Sequence, residues 1–378
     1  MMPGARPSPR DLSFLPKAEL HLHLEGAMRP GTLRDLCSKY SIPAPSTPCY
    51  DSRSDVPMPR SSTTSRFADF SAFMNLYLSA CSCLRTEEDV RRLVLEVASD
   101  LRECHVLYAE VAPSLTFYAQ HFGSMESTLR VLVDAAAIAE KETGVLISYV
   151  LSVERHLSVE AAIELAHLAR RGSEMHINGR AAVVGFGLHG PEESFPPHAF
   201  REAFEIAHGE DGKIASLPHA GEIAPARGMG AKSVVDAVHI LGAKRIAHGV
   251  LAKDDAEAMR MLREKDVVLD VCITSNFLLN VVETREDHPI KYFLKEGVKC
   301  TINSDDPLLF GCNILSEYQL CRDVLGMDDH TIAQCAKTSF IYSCAPEYLK
   351  SKGINGVDGW LSEGGDDSCV TRHDARRC

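Results

Sequence analysis

The feature that most constrains this chain is a regular exchange of two sequence periods. From Glu19 almost to the C-terminus, short apolar runs alternate with longer amphipathic stretches. The short runs read as strands over residues 19–24, 106–112, 145–152, 183–188, 214–219, 245–248, 267–272 and 299–303. Helical periodicity falls between them, over 87–104, 124–143, 159–170, 197–208, 231–241, 254–264 and 289–296, several opened by capping residues such as Thr86, Ser158 and Asp254. Eight strands, each followed by at least one helix, predict an α/β fold, a (β/α)8 TIM-type barrel with extra helices after strand one, over 67–84. An open doubly wound sheet is the alternative. In a barrel the reactive groups belong at the C-terminal ends of the strands, so those ends are where chemistry is sought.

The same reading divides the chain into a disordered N-terminus (1–12), one catalytic barrel domain (13–361) and a flexible Gly/Asp-rich tail (362–378). Within the barrel, 41–65 carries Pro43, Pro45, Pro48, Pro57 and Pro59 and reads as a loop. It follows strand one, on the face of the expected site, and is a candidate lid. Charge narrows the partners: 40 Lys+Arg against 52 Asp+Glu leave −12, with no basic cluster, so nucleic acid is not expected. No run approaches the ~18 apolar residues of a membrane span and no signal-peptide core precedes the first strand, so neither a membrane nor secretion is expected and a cytoplasmic location follows. The 13 cysteines are an odd number without paired CxxC spacing, which points to reduced, buried thiols.

Four strand ends carry polar clusters. His21 and His23, two apart on strand one, face the same side and converge. One inward histidine is usually a satisfied core residue; two need partners, and the pair suits a borderline-soft divalent cation such as zinc. Strand five ends in Pro218-His219-Ala220-Gly221-Glu222, strand six in Arg245-Ile246-Ala247-His248-Gly249, and strand eight in Asn303-Ser304-Asp305-Asp306-Pro307. Adjacent acids are ordinarily a solvated turn, but here they follow an apolar strand, where a metal would keep one of them ionised.

With Thr274-Ser275-Asn276 and His21-Leu22-His23-Leu24-Glu25-Gly26, these strings resemble the adenosine deaminase family over roughly 15–349. The resemblance implies one zinc ion per chain held by His21, His23, His219 and Asp305, with Glu222 as proton donor and His248 handling the attacking water. It further implies Asp306 and Gly190 as purine contacts, and Glu25 as an acid at the sugar 5′-hydroxyl. The expected reaction is hydrolytic deamination of a 6-aminopurine nucleoside, with free adenine or aminodeoxyfutalosine as alternative substrates and an inactive binding relative as the alternative of another class. The chain departs from the family's usual pattern at His189, where a small residue is common, and at Pro191-Glu192, where an acidic pair is common. A polar His189 at the pocket mouth would admit larger 5′ groups. The absence of a PCxxC ligand pair excludes a cytidine-type deaminase.

Overall fold

The structure is a computed structural model describing residues 9–43, 66–223 and 228–362. Its eight-stranded sheet runs in chain order: β1 (Lys17–His23), β2 (Val106–Ala112), β3 (Leu146–Glu154), β4 (Val183–His189), β5 (Ala215–Ala220), β6 (Arg245–His248), β7 (Val268–Val271) and β8 (Cys300–Ile302). All neighbouring pairs are parallel. Just beyond β8 the Asp305 N–H donates to the His21 carbonyl (3.1 Å) and the His23 N–H to the Asp305 carbonyl (3.0 Å). Those two bonds tie the last strand to the first and make the sheet a (β/α)8 barrel, not an open sheet.

Local sequence accounts for the helices around it. In Glu87–Glu103, Thr86 and Asp89 form a reciprocal capping box, and Val90, Leu93, Val94, Val97, Ala98 and Leu101 bury one stripe at three- and four-residue spacing. Ser124 and Ser158 cap Met125–Thr143 and Val159–Ser173 with a side-chain oxygen that accepts one main-chain N–H. The cap expected at Asp254 belongs to Asp255 instead, because 250–254 first wind into a 3-10 turn. A small hairpin, His176–Ile177 with Arg180–Ala181, precedes β4 and was not expected; Asn178 and Gly179 at its tip both have positive φ.

The N-terminal expectation is corrected in part. Residues 9–12 are placed against the body of the protein: Arg10 pairs with Asp329 (3.3 Å), Leu12 is buried and Trp360 Nε1 donates to the Asp11 carbonyl (2.9 Å). The helices Asp329–Tyr342 and Glu347–Ser362 supply that surface, which no local pattern near Arg10 reveals. Residues 1–8, 44–65 and 363–378, which include most of the expected lid and tail, lie outside the described residues.

The barrel interior is polar as well as apolar. Arg245, nearly inaccessible, donates to Glu110 (2.5 Å) and Asp270 (2.8 Å), while Thr301 caps the other Asp270 oxygen (2.7 Å). The described cysteines are all free thiols, and all but Cys344 are buried. Among the described residues, no helix is long and apolar enough to cross a membrane.

Candidate active site

The strand ends expected to carry chemistry meet at one point. His21 and His23 from β1, His219 from β5 and Asp305 after β8 place four donor atoms within 4.8 Å of one another. The His219 Nε2 lies 3.1 Å from His21 Nε2 and 3.3 Å from His23 Nε2, and Asp305 Oδ1 lies 3.2 and 3.4 Å from the same two nitrogens. His21 directs its Nδ1 at the Asp270 carbonyl (3.3 Å), which fixes the proton there and turns the Nε2 lone pair inward. Burial holds His219 well below the usual imidazole range, and the rings of His21, His248 and His23 add to it. Inward lone pairs so close together repel unless a cation sits among them. A tetrahedral ion with bonds of about 2.0–2.1 Å has donor–donor edges of roughly 3.3 Å, so the spacing fits zinc.

Around this cluster stand three further expected groups. Glu222 is buried; burial raises its carboxyl well above the usual range, and the charges of Asp305 and Glu192 raise it further. His248 Nε2 lies 3.5 Å from Glu222 Oε1 and 3.8 Å from Asp305 Oδ2. Asp306 is raised well above the carboxylate range by burial and by Asp305, and its Oδ1 has no protein partner. His248 (φ 65°) and Asp305 (φ 64°) occupy the left-handed region, strain of the kind that persists where the surroundings over-determine a functional residue.

A cavity open to solvent at its mouth extends from the cluster. Glu154, His189, Gly190, Glu222, Asp305 and Asp306 line its polar side, and Phe70, Phe73, Met74, Tyr77 and Phe117 its apolar side. Gly190 has φ 98°, a conformation that side chains disfavour, so the chain passes the cavity with bare backbone. His189 lines the cavity and stacks on the ring of His23 at 5.2 Å.

Glu25 is a correction. Its carboxylate accepts from the Tyr77 hydroxyl (2.8 Å) and the Ser114 N–H (3.1 Å), and it does not line the cavity. β1 ends at His23 and Glu25 opens a 3-10 turn, so the two-residue alternation that carries His21 and His23 inward does not extend to it. It buttresses Tyr77, which does line the cavity.

Other positioned groups escaped the sequence reading. Glu192 accepts from the backbone N–H groups of Gly221 (2.6 Å), Glu222 (3.0 Å) and Ile223 (3.0 Å), clamping the turn that presents Glu222. Arg155 donates to the carbonyls of His219 (2.6 Å) and Phe195 (2.6 Å). Glu154 keeps one oxygen for Thr116 (2.9 Å), with His189 Nε2 3.8 Å away, while its Oε2 is buried without a partner. Because β3 runs two residues further than its apolar run suggests, Glu154 reaches the rim. The acid after Gly190-Pro191 was the one available signal for Glu192.

A buried cluster of three imidazoles and a carboxylate, with a buried acid beside it at the C-terminal mouth of a barrel, defines a metal-centred barrel hydrolase. Comparison with known proteins narrows the class: the adenosine deaminase family model matches residues 16–360, and the chain belongs to that family, whose members are aminohydrolases. A Streptomyces coelicolor protein provisionally named as an adenosine/adenine deaminase is 37% identical over 353 residues, covering 93% of this chain and 98% of that one. The aminodeoxyfutalosine deaminase of the same organism is 35% identical over 365 residues, covering 94% and 88%. Among solved structures, the adenine deaminase from Arthrobacter aurescens superposes with a TM-score of 0.78 at 26% identity, covering 92% of this chain and 99% of that one.

Proposed function

We propose that this protein is a zinc-dependent deaminase that hydrolyses an uncharged 6-aminopurine nucleoside to the 6-oxopurine and ammonia, with one ion per chain held by His21, His23, His219 and Asp305. The observation that carries the reading is the convergence of these four donors, with His248 beside Glu222 and Asp305, at a cavity whose wall includes His23, His219, Asp305, Glu222 and Asp306. A second donor set, His21, His248 and Cys272, shares His21 with the first and so offers no independent second site.

When bound, zinc acidifies a coordinated water towards pKa ~7 and supplies the nucleophile near neutral pH. The chain's own groups do the rest. As oxygen adds to C6, charge develops on N1, and Glu222, kept protonated by burial, donates there. Asp306, protonated for the same reason, donates to N7. The Gly190 backbone approaches the base edge. His248 faces the incoming oxygen from the side of Glu222 and Asp305. Of the two protons of water, one ends on N1 and the other leaves with ammonia.

Substrate charge follows from the lining. Four carboxyl groups, two of them (Glu222 and Asp306) held neutral, and no Lys or Arg line the cavity among the described residues, so a phosphate would find no counter-cation from these side chains. A neutral nucleoside is therefore preferred to its monophosphate, for a reason that does not involve Glu25. Free adenine is the second reading, favoured by the burial of Glu25 against Tyr77 and Ser114, away from the cavity lining. The test is metal analysis of the pure protein together with loss of adenine-type absorbance across adenine, adenosine, 5′-methylthioadenosine, aminodeoxyfutalosine and AMP. One zinc per chain with a nucleoside as best substrate is expected. Two ions per chain, or AMP as best substrate, overturns the proposal; adenine as best substrate replaces it by the second reading.

A further inference from the structure

Behind His248 runs a chain of buried side chains that the mechanism above does not use. His248 Nδ1 lies 3.1 Å from the amide nitrogen of Asn276, and the Asn276 amide oxygen lies 3.1 Å from His288 Nε2. The chain ends at backbone: the Ile290 N–H donates to His288 Nδ1 (3.3 Å). His248, Asn276 and His288 are all buried.

The direction of every bond follows from the last one. A main-chain N–H can only donate, so His288 Nδ1 must carry a lone pair. A neutral imidazole then has its proton on Nε2, and that N–H needs an acceptor, which is the amide oxygen of Asn276. The amide is thereby oriented with its NH2 towards His248. An NH2 group only donates, so His248 Nδ1 is a lone pair and the proton of the neutral His248 ring sits on Nε2. Reversing the Asn276 amide would face its NH2 with His288 Nε2–H, or leave the His288 ring with no proton at all. Protonating His288 would set Nδ1–H against the Ile290 N–H. The main chain of Asn276 is held as well: its N–H donates to the Cys272 carbonyl (3.0 Å), and its carbonyl accepts from Val281 (2.9 Å) and Val282 (3.2 Å).

We infer that His288 is a positioning residue which, through Asn276, locks His248 in the tautomer that presents an N–H to the reaction centre, so that His248 donates a hydrogen bond to the nucleophilic oxygen and does not remove its proton. The surroundings of Nε2 agree, since the groups facing it are carboxyl oxygens of Glu222 and Asp305, at 3.5 and 3.8 Å. Asp305 Oδ2, and not His248, is left to take the proton that the water gives up, since Glu222 enters the reaction protonated and gives its own proton to N1; the proton on Asp305 then restores Glu222 while the other water proton leaves with ammonia. The hydrogen-bond direction is independent of the deaminase reading; its consequence for the nucleophile rests on that reading.

The experiment uses the full chain loaded with zinc and labelled with 15N in histidine. His248 is assigned by the signals lost in His248→Gln, and its two nitrogens are read by one- and two-bond couplings to the ring protons. The expected result is a protonated Nε2 and an unprotonated Nδ1 at neutral pH, which needs no substrate and stands or falls apart from the reaction. A protonated Nδ1, or a doubly protonated ring, overturns the inference. Kinetics add an independent reading: His288→Leu frees the Asn276 amide and should lower kcat roughly 10- to 100-fold with little change in KM, as loss of an outer hydrogen-bond partner commonly does. His288→Gln can still donate to the amide oxygen and should restore most of the rate. Asn276→Asp replaces the NH2 by an acceptor and should move the His248 proton to Nδ1. Equal kcat in wild type and His288→Leu, or an unmoved proton in Asn276→Asp, counts against the lock, and the spectrum of the wild type decides the matter if a variant does not fold.

Discussion

Glu222 and Glu192 are both buried carboxyl groups within one turn of chain contact, yet their surroundings give them different tasks. Glu192 accepts three main-chain N–H groups and so holds the turn that presents Glu222. Burial and two neighbouring acids drive Glu222 towards a neutral acid able to give a proton. Glu222→Gln keeps the shape and removes the acidic proton. It should retain zinc and lose at least about 10²–10⁴-fold in kcat, the usual worth of general acid catalysis; full metal content with wild-type turnover would contradict the role. Glu154 tests selectivity at the same scale. Its unpartnered Oε2 is placed to accept a hydroxyl or N–H from the substrate. Replacing it with Leu should reduce kcat/KM for a substrate that supplies that donor by about 10- to 100-fold, and far less for analogues in which that donor is deleted. A uniform loss across a panel of deoxyadenosines would show that Glu154 only holds Thr116 and the rim.

At the scale of elements, the site depends on strands ending at the right residue. β1 stops at His23, and the turn that follows brings Gly26 against Asp306, where a Cβ would lie 1.7 Å from Asp306 Oδ1. Gly26→Ala must therefore displace the Asp306 carboxyl. We expect a raised KM and a lower kcat, with the zinc stoichiometry unchanged because the four donors belong to other residues. Thr86→Ala is the contrasting case: it removes a capping-box contact far from the cavity lining and should reduce stability by about 1 kcal/mol in chemical denaturation while leaving kcat alone. Both the cap and the Asn178-Gly179 hairpin are written in local residue types. The Asp255 cap was misread by one residue because nothing in Asp254-Asp255 says which acid follows the 3-10 turn.

For the molecule as a whole, burying neutral imidazoles links folding to pH. Burial, with Lys253 nearby, pushes His288 down to about 3. The unfolded chain binds that proton below ~6.5, whereas the folded chain does so only near 3, so stability falls as pH drops through this window. At pH 5 the loss from this one group is about 2 kcal/mol, at roughly 1.4 kcal/mol per pH unit. Thermal unfolding of wild type and His288→Gln at pH 7.5 and pH 5 should show a smaller acid-induced decrease in the variant; equal decreases would mean that His288 is not the titrating group.

The sequence by itself determined the barrel and the strand ends that carry the candidate metal ligands. Alternating periods are local properties, and the spacing of His21 and His23 fixes a shared face whatever the rest of the chain does. The identities of His219, Glu222, His248, Asp305 and Asp306 were legible because each ends an apolar run, and in a barrel such ends share one face. Tertiary structure alone decided what those groups do to one another. Glu25 looked like a substrate contact from its place in a motif, but Tyr77 and Ser114 arrive from distant segments and occupy its oxygens. Glu154 and His189 come from neighbouring strands whose lengths the apolar pattern underestimates. The His248–Asn276–His288 chain joins three segments, and its polarity is set by a single main-chain N–H at Ile290. Hydrogen-bond direction and proton position depend on what lies across a contact, and period and residue type along the chain do not encode that.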